Sequence, residues 1–287
     1  MKNLAIIYTA LEEEIISPLN IIKSIYRSDN INRGSVSLIL VVQTDSKKLF
    51  DFPEYPDLYI LIVPREGISK ARNRGLFLAR TLAKQIIFAD SRTCFSDSFF
   101  EVAARYRDSD IPLWIGAVEW QAVDGAQRIK SPKASYIHPV DLAYQGFGWR
   151  CVFRTSALDE CTFNENIGPG TKSVIQSGED CIFLIDFLSR NPNKNVPFER
   201  YAVISQLPRT NIESKKNRYA LGSGFRVAYL LNSSLGRNFR MKSLFRLVSF
   251  LTKTFALLPS PSHRRMALDR LRGLLLMKRF DQHRELG

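Results

Sequence analysis

At 287 residues, 45% hydrophobic and 24% charged, the chain has the composition of a globular protein and fits one large α/β domain or one domain plus a small appendage. Its formal net charge is +13 and the excess is confined: residues 1–206 carry 24 Lys/Arg and 24 Asp/Glu, whereas residues 207–287 carry 17 and 4. The four cysteines, Cys94, Cys151, Cys161 and Cys181, lack C-x-x-C spacing, which argues against a zinc ribbon. No disulfide framework or run of about 18 apolar residues stands out, and the start lacks a signal-peptide layout, so a cytoplasmic protein without a spanning helix is expected.

Leu4–Thr9 is a continuous apolar run of the kind found in a strand buried on both faces. Ile15, Leu19, Ile22 and Ile25–Tyr26 then follow a helical period. Val36–Val42 and Leu58–Val63 are two further strands, the first ending at Gln43-Thr44-Asp45. Ser69 is the expected cap of a helix running to about Lys84. Gln85–Ala89 is a fourth strand, delivering Asp90 at its carboxyl end. This alternation predicts a mainly parallel sheet wrapped by helices, with ligands outside the carboxyl ends of its strands. Leu113–Glu119 is another strand, 121–148 a loop-rich stretch, and Cys151–Leu158 a return to the sheet. A helix is predicted from Gly178-Glu179-Asp180 through Leu188, and a short strand over Tyr201–Ser205.

Four segments in this order carry a resemblance. They are Val36–Asp45, a strand ending in an acid; Gly67-Ile68-Ser69-Lys70-Ala71-Arg72-Asn73-Arg74-Gly75-Leu76; Ile86–Arg92 around Asp90; and Phe163–Gly170 followed by Gly178-Glu179-Asp180. Together, over roughly residues 1–210, they resemble the family 2 glycosyltransferases. The resemblance implies a GT-A type fold, a nucleotide-sugar donor and an inverting single displacement. The acceptor it implies is a glycan or lipid-linked saccharide of a bacterial-type surface polysaccharide. It places Thr9, Asp45, Arg72, Asn73, Asp90, Ser91 and Arg92 at the nucleotide sugar, and Asp180, with Glu179 next, as the base that deprotonates the acceptor. The expected division is a catalytic domain over 1–210 and a basic helical extension over 211–287.

The chain departs from the family at two points. The second acid of the D-x-D strand end is Arg92, and the histidine that follows the later strand is replaced by Gln206. Both positions commonly bind the divalent metal that holds the diphosphate. The paired loss leaves Asp90 as the one family metal position retained. It predicts reduced dependence on Mg or Mn, with Arg92 on the phosphate oxygens and Arg72 or Arg209 as a second cation.

Other residues admit bland readings. Glu179 or Asp180 serves equally as a helix cap, Arg80 reads as part of a solvated face, and Gly75 as a packing position. Trp149 and Arg150 are candidates for the acceptor, with a core tryptophan the equal alternative. His138, His263 and His283 are given no role.

In the basic tail, Leu244, Leu247, Val248, Leu251, Phe255 and Leu258 share one helical face, and Lys242, Arg246, Ser249 and Lys253 the opposite one. Pro259 and Pro261 end that helix, and Arg265, Arg272 and Arg279 share a side of the next. The apolar face packs either on the catalytic domain, on a second subunit as a homo-oligomer, or on an anionic membrane surface as a peripheral protein. No nucleic-acid reading motif is present. The rival functions are a nucleotidyltransferase, a nucleic-acid binder and a non-catalytic sugar-nucleotide or glycan binding subunit built on a degenerate transferase.

Overall fold

In a computed structural model, residues 1–28, 32–46, 52, 54–121, 127–130, 135–146, 148–192, 195–206 and 213–284 are described. By internal contacts the chain forms two units. The first comprises residues 1–137, 147–162 and 195–208; the second comprises 138–146, 163–194 and 209–287. The grouping is therefore not a single cut near residue 210, because 138–146 and 163–194 group with the C-terminal helices.

The first unit starts from four strands whose apolar runs allow burial on both faces: β1 (Lys2–Leu11), β2 (Val36–Gln43), β3 (Leu58–Val63) and β4 (Ala83–Asp90). They pair in parallel in the order β3-β2-β1-β4, and every residue of β2 is buried. Parallel neighbours need crossovers, supplied by α1 (Ile16–Arg27) between β1 and β2 and by α2 (Ile68–Leu82) between β3 and β4. The sheet continues through β5 (Thr93–Phe95), β6 (Leu113–Gln121), β9 (Cys151–Arg154) and β10 (Val196–Gln206), giving β3-β2-β1-β4-β9-β6-β10-β5. β9 runs antiparallel between β4 and β6, whereas β10 is parallel to β6. The short β7 (Gln127–Lys130) pairs with β6, and β8 (Tyr136–Ile137) with β10. The strand expected over Tyr201–Ser205 is thus the second half of an 11-residue one.

α3 (Asp97–Arg105) is capped by Ser96, whose Oγ accepts from the Phe99 N–H, and it lays Phe99 against Trp114 of β6. The Trp114 indole N–H donates to Gln85 at 3.0 Å, and Gln85 in turn donates to the Ala103 carbonyl at 2.7 Å. Each buried polar group on that face is thereby satisfied. Helix α2 corrects two expectations. It starts after Gly67, so Ser69 lies inside the first turn, fully buried, and is not the cap. Arg80 is not simply solvated: its guanidinium donates to the Leu158 and Cys161 carbonyls at 2.6 and 2.8 Å, tying the end of α2 to the turn after β9.

The second unit is helical: α4 (Pro139–Gln145), α5 (Glu179–Arg190), α6 (Glu213–Asn232), α7 (Ser234–Asn238), α8 (Arg240–Phe255) and α9 (Pro261–Arg284). α6 and α9 touch backbone to backbone because glycines line the seam. A Cβ on Gly224 would lie 1.9 Å from the Arg270 carbonyl oxygen, and one on Gly273 2.1 Å from that of Leu221. Among the described residues no helix is long and apolar enough to cross a membrane.

Candidate functional site

The carboxyl ends of β1, β2, β4 and β10 carry or lead into Thr9, Thr44 and Asp45, Asp90 and Gln206. Thr9 of β1 pairs in register with Val41 on one side and Asp90 on the other. Helix α2 passes close beneath this edge because Gly75 has no side chain; a Cβ there would sit 2.5 Å from Ile7 Cγ2 and 3.1 Å from Val41 Cγ2. One turn earlier, Arg72 reaches Asp90, with Nη2 3.2 Å from Oδ1. The Arg72 side chain is 4% exposed and that of Asp90 21%, so the cation is the deeper partner.

The other oxygen of Asp90 accepts from Gln206 Nε2 at 3.4 Å. Gln206 is buried at the end of β10 and also donates to Thr93 Oγ1 at 3.2 Å, the same oxygen that accepts the Asp90 N–H at 3.1 Å. The Gln206 amide therefore braces Asp90. Thr9 Oγ1 is buried and has no hydrogen-bond partner among the described residues. Asn73 is buried on the same turn of α2 as Arg72.

Outside this cluster lies a charged rim. Thr44 donates to Glu12 at 2.5 Å, and exposed Asp45 accepts the Arg65 N–H at 3.1 Å. The Arg65 guanidinium lies 2.7 Å from Glu13 and 4.0 Å from Glu12. Ser91 and Arg92 line a cleft of about 540 Å³ with Glu13, Glu14, Ile16 and Asn20, and Ser91 donates to Glu14 at 3.4 Å. Glu12–Glu14 are the site residues that the sequence reading missed. Their signal was positional: three acids directly after a strand end on the ligand edge of the sheet.

In the second unit, the Phe163–Gly170 segment folds as a loop. Phe163 stacks on Phe183 of α5 with ring centroids 4.2 Å apart, and Gly168 donates its N–H to the Ile175 carbonyl. α5 begins after Gly178, which has φ 95°, a left-handed conformation that favours glycine. A Cβ on Gly222 of α6 would lie 2.1 Å from Ser177 Oγ, so that helix presses directly on the turn. Glu179 and Asp180 occupy the first turn, Glu179 buried and Asp180 half-buried; the cap itself is Gly178, without a side-chain bond. A carboxylate in the first turn is favoured in its ionised form by the helix dipole.

Trp149 and Arg150 do not fit the acceptor role. They lie on a short 3-10 turn, 6% and 4% exposed, with Trp149 packed in the hydrophobic core, and burial lowers the Arg150 pKa. A ring enclosed by core side chains has no face left for a sugar. Arg209 falls outside the described residues. Both Asp90 oxygens have partners in Arg72 and Gln206, and among the described residues no three His, Cys, Asp or Glu side chains converge.

No protein-family model and no curated protein sequence matches the chain. Solved structures do. S. aureus TarS 1-349 in complex with UDP-GlcNAc superposes with a TM-score of 0.62 at 14% identity, covering 96% of this chain and 81% of that one. A further S. aureus TarS structure matches with a TM-score of 0.60 at 15% identity, covering 96% of this chain and 49% of that one. The mannosyltransferase PcManGT from Pyrobaculum calidifontis, in complex with GDP-Man and Mn2+, gives 0.53 at 13% identity, covering 96% of this chain and 86% of that one. The chain has a GT-A-type fold. The mixed, mainly parallel sheet flanked by helices is the architecture expected from the strand and helix order.

Proposed function

We propose that the chain is an inverting glycosyltransferase. It moves a sugar from a nucleoside-diphosphate donor to a hydroxyl of a glycan or lipid-linked saccharide, in the synthesis of a surface polysaccharide on the cytoplasmic side of a membrane. The observation that best supports this reading is the Arg72–Asp90–Gln206 cluster, a buried cation and its partners at the ligand edge of a GT-A-type sheet.

In this reading Thr9 and Asp45 face the nucleoside, and Asn73 and Ser91 supply polar contacts to the donor. Arg92, with Arg72 behind it, meets the diphosphate, whose negative charge grows as the bond to the sugar breaks. Asp180 takes the proton of the acceptor hydroxyl. The freed oxygen attacks the anomeric carbon from the face opposite the diphosphate, which leaves with the bonding electron pair. Glu179, buried beside it, is the second choice of base. Because Asp90 is already held by Arg72 and Gln206, and because Arg92 stands in place of an acid, the reaction depends less on Mg or Mn than is usual for the fold.

The test is release of nucleoside diphosphate from a panel of UDP-, GDP- and dTDP-sugars, each with manganese, magnesium or chelator. The expected outcome is release from one donor class, largely kept in chelator. Binding of a sugar nucleotide without any release would mark a non-catalytic binding subunit instead.

A further inference from the structure

Helix α8 turns its hydrophobic side outward. Met241, Leu244, Phe245, Val248 and Phe255 are 81, 40, 65, 60 and 52% exposed. At about 100° per residue they fall within a single arc of roughly 120°, running about 20 Å along the helix. The side that packs is mixed, with Leu247 and Leu251 half-buried at its edge. Ser243, Phe250 and Thr254 are buried, and Arg246 and Lys242 both reach Asp141 of α4, at 2.5 and 2.9 Å. Arg246 also lies over the Tyr144 ring, 5.2 Å from its centroid. Two of the helix's cations are thus spent on its own unit while its apolar stripe is left open.

The margins of the stripe are basic. Arg237 and Arg240 are exposed at its start, Lys253 is exposed about 80° round the helix from Phe245, where a long side chain still reaches headgroups, and α9 shows Arg265, Leu268, Arg272 and Leu275 exposed on one side. An amphipathic helix with an open apolar face and cationic edges matches the boundary between lipid headgroups and acyl chains. A second copy of the chain fits less well. A two-fold contact sets a patch against itself, and here it would bring Arg240 and Lys253 towards their own like charges.

We propose that α8 lies in the interfacial plane of an anionic bilayer, with its Met241–Phe255 stripe among the acyl chains and Arg240 and Lys253 on lipid phosphates. The site is separate from the residues assigned to sugar transfer, so the two readings stand or fall independently.

Co-sedimentation of the full chain with phosphatidylcholine vesicles, with and without phosphatidylglycerol, tests it. Wild type binds the anionic vesicles, and more weakly as salt rises. The double variant Phe245→Asp, Val248→Asp loses at least about tenfold in affinity, with its circular dichroism and melting temperature unchanged. Arg240→Gln with Lys253→Gln, which leaves the stripe intact, also weakens binding and flattens the salt dependence. Equal binding by wild type and the Asp pair overturns the proposal, as does failure of wild type to prefer anionic vesicles. A dimer in sedimentation that the Asp pair dissolves, with no vesicle binding, overturns it in favour of a second copy.

Discussion

In the sheet of the first unit, burial follows hydrophobicity; on α8 it runs against it. Leu38 to Val42 are apolar and at most 2% exposed. On α8 Lys242 and Arg246 are held by Asp141 and Phe250 is buried, while Met241, Leu244, Phe245, Val248 and Phe255 are open. A hydrophobic period establishes that a helix has two faces. Which face meets the body of the protein is decided by the groups opposite it, here a carboxylate on α4 that no local pattern announces. Under the proposed function the same contrast separates roles: the first unit would supply cations and polar groups to a donor, and the second a helix-start carboxylate and an outward apolar surface.

The largest effect expected from this division is on turnover. Asp180→Asn should reduce transfer by about a thousandfold, while nucleotide affinity stays within a few-fold of wild type. Steady-state kinetics beside calorimetric titration checks both; near-normal turnover would place the base elsewhere.

A matched pair of truncations sharpens the packing contrast. Phe99→Ala removes a ring that is 0% exposed and should cost about 3–5 kcal/mol. Phe245→Ala removes one that is 65% exposed and should change stability by less than about 0.5 kcal/mol. Denaturant unfolding of the two variants measures the difference, and similar losses would show that Phe245 has a partner in solution.

The smallest effect concerns the ion pairs behind α8. Burial raises the Asp141 pKa, but the hydrogen bonds and charges of Lys242 and Arg246 outweigh it and leave the carboxyl below its usual value. A lowered folded-state pKa means that the pair's contribution is full above the ordinary carboxylate pKa. It is lost as pH falls through the folded value. The stability difference between wild type and Asp141→Asn should therefore be constant near neutrality and shrink in acid. A difference that widens as pH falls would contradict the assignment.

How much of this was legible in sequence follows the same physics. The four parallel strands were readable because a strand buried on both faces is a bare apolar run, as in Leu4–Thr9 and Val36–Val42. Gly75 was readable as a packing position, and the clash its Cβ would make with Ile7 shows why. Ser69 misled because a serine before an apolar period is a usual cap, yet Gly67, with φ 102°, caps the helix two residues earlier. Trp149 offered no discriminating signal, since a core ring and a sugar-stacking ring look alike in sequence. The bracing of Asp90 by Arg72 and Gln206 joins residues 18 and 116 positions away. Arg72 comes from α2 and Gln206 from the end of β10, where it pairs with Thr93 just beyond Asp90, so only the folded chain brings the three together.

On the proposed function, the ligand edge of the sheet binds a nucleoside diphosphate through the chain's own cations. Calorimetric titration of UDP and GDP into wild type and Arg92→Ala, in manganese and in chelator, tests it most directly. The nucleotide that binds should keep its affinity in chelator within a few-fold, and Arg92→Ala should lose about tenfold, the scale of one charge-assisted hydrogen bond. Affinity that collapses in chelator, returns with manganese and is indifferent to Arg92 would contradict it.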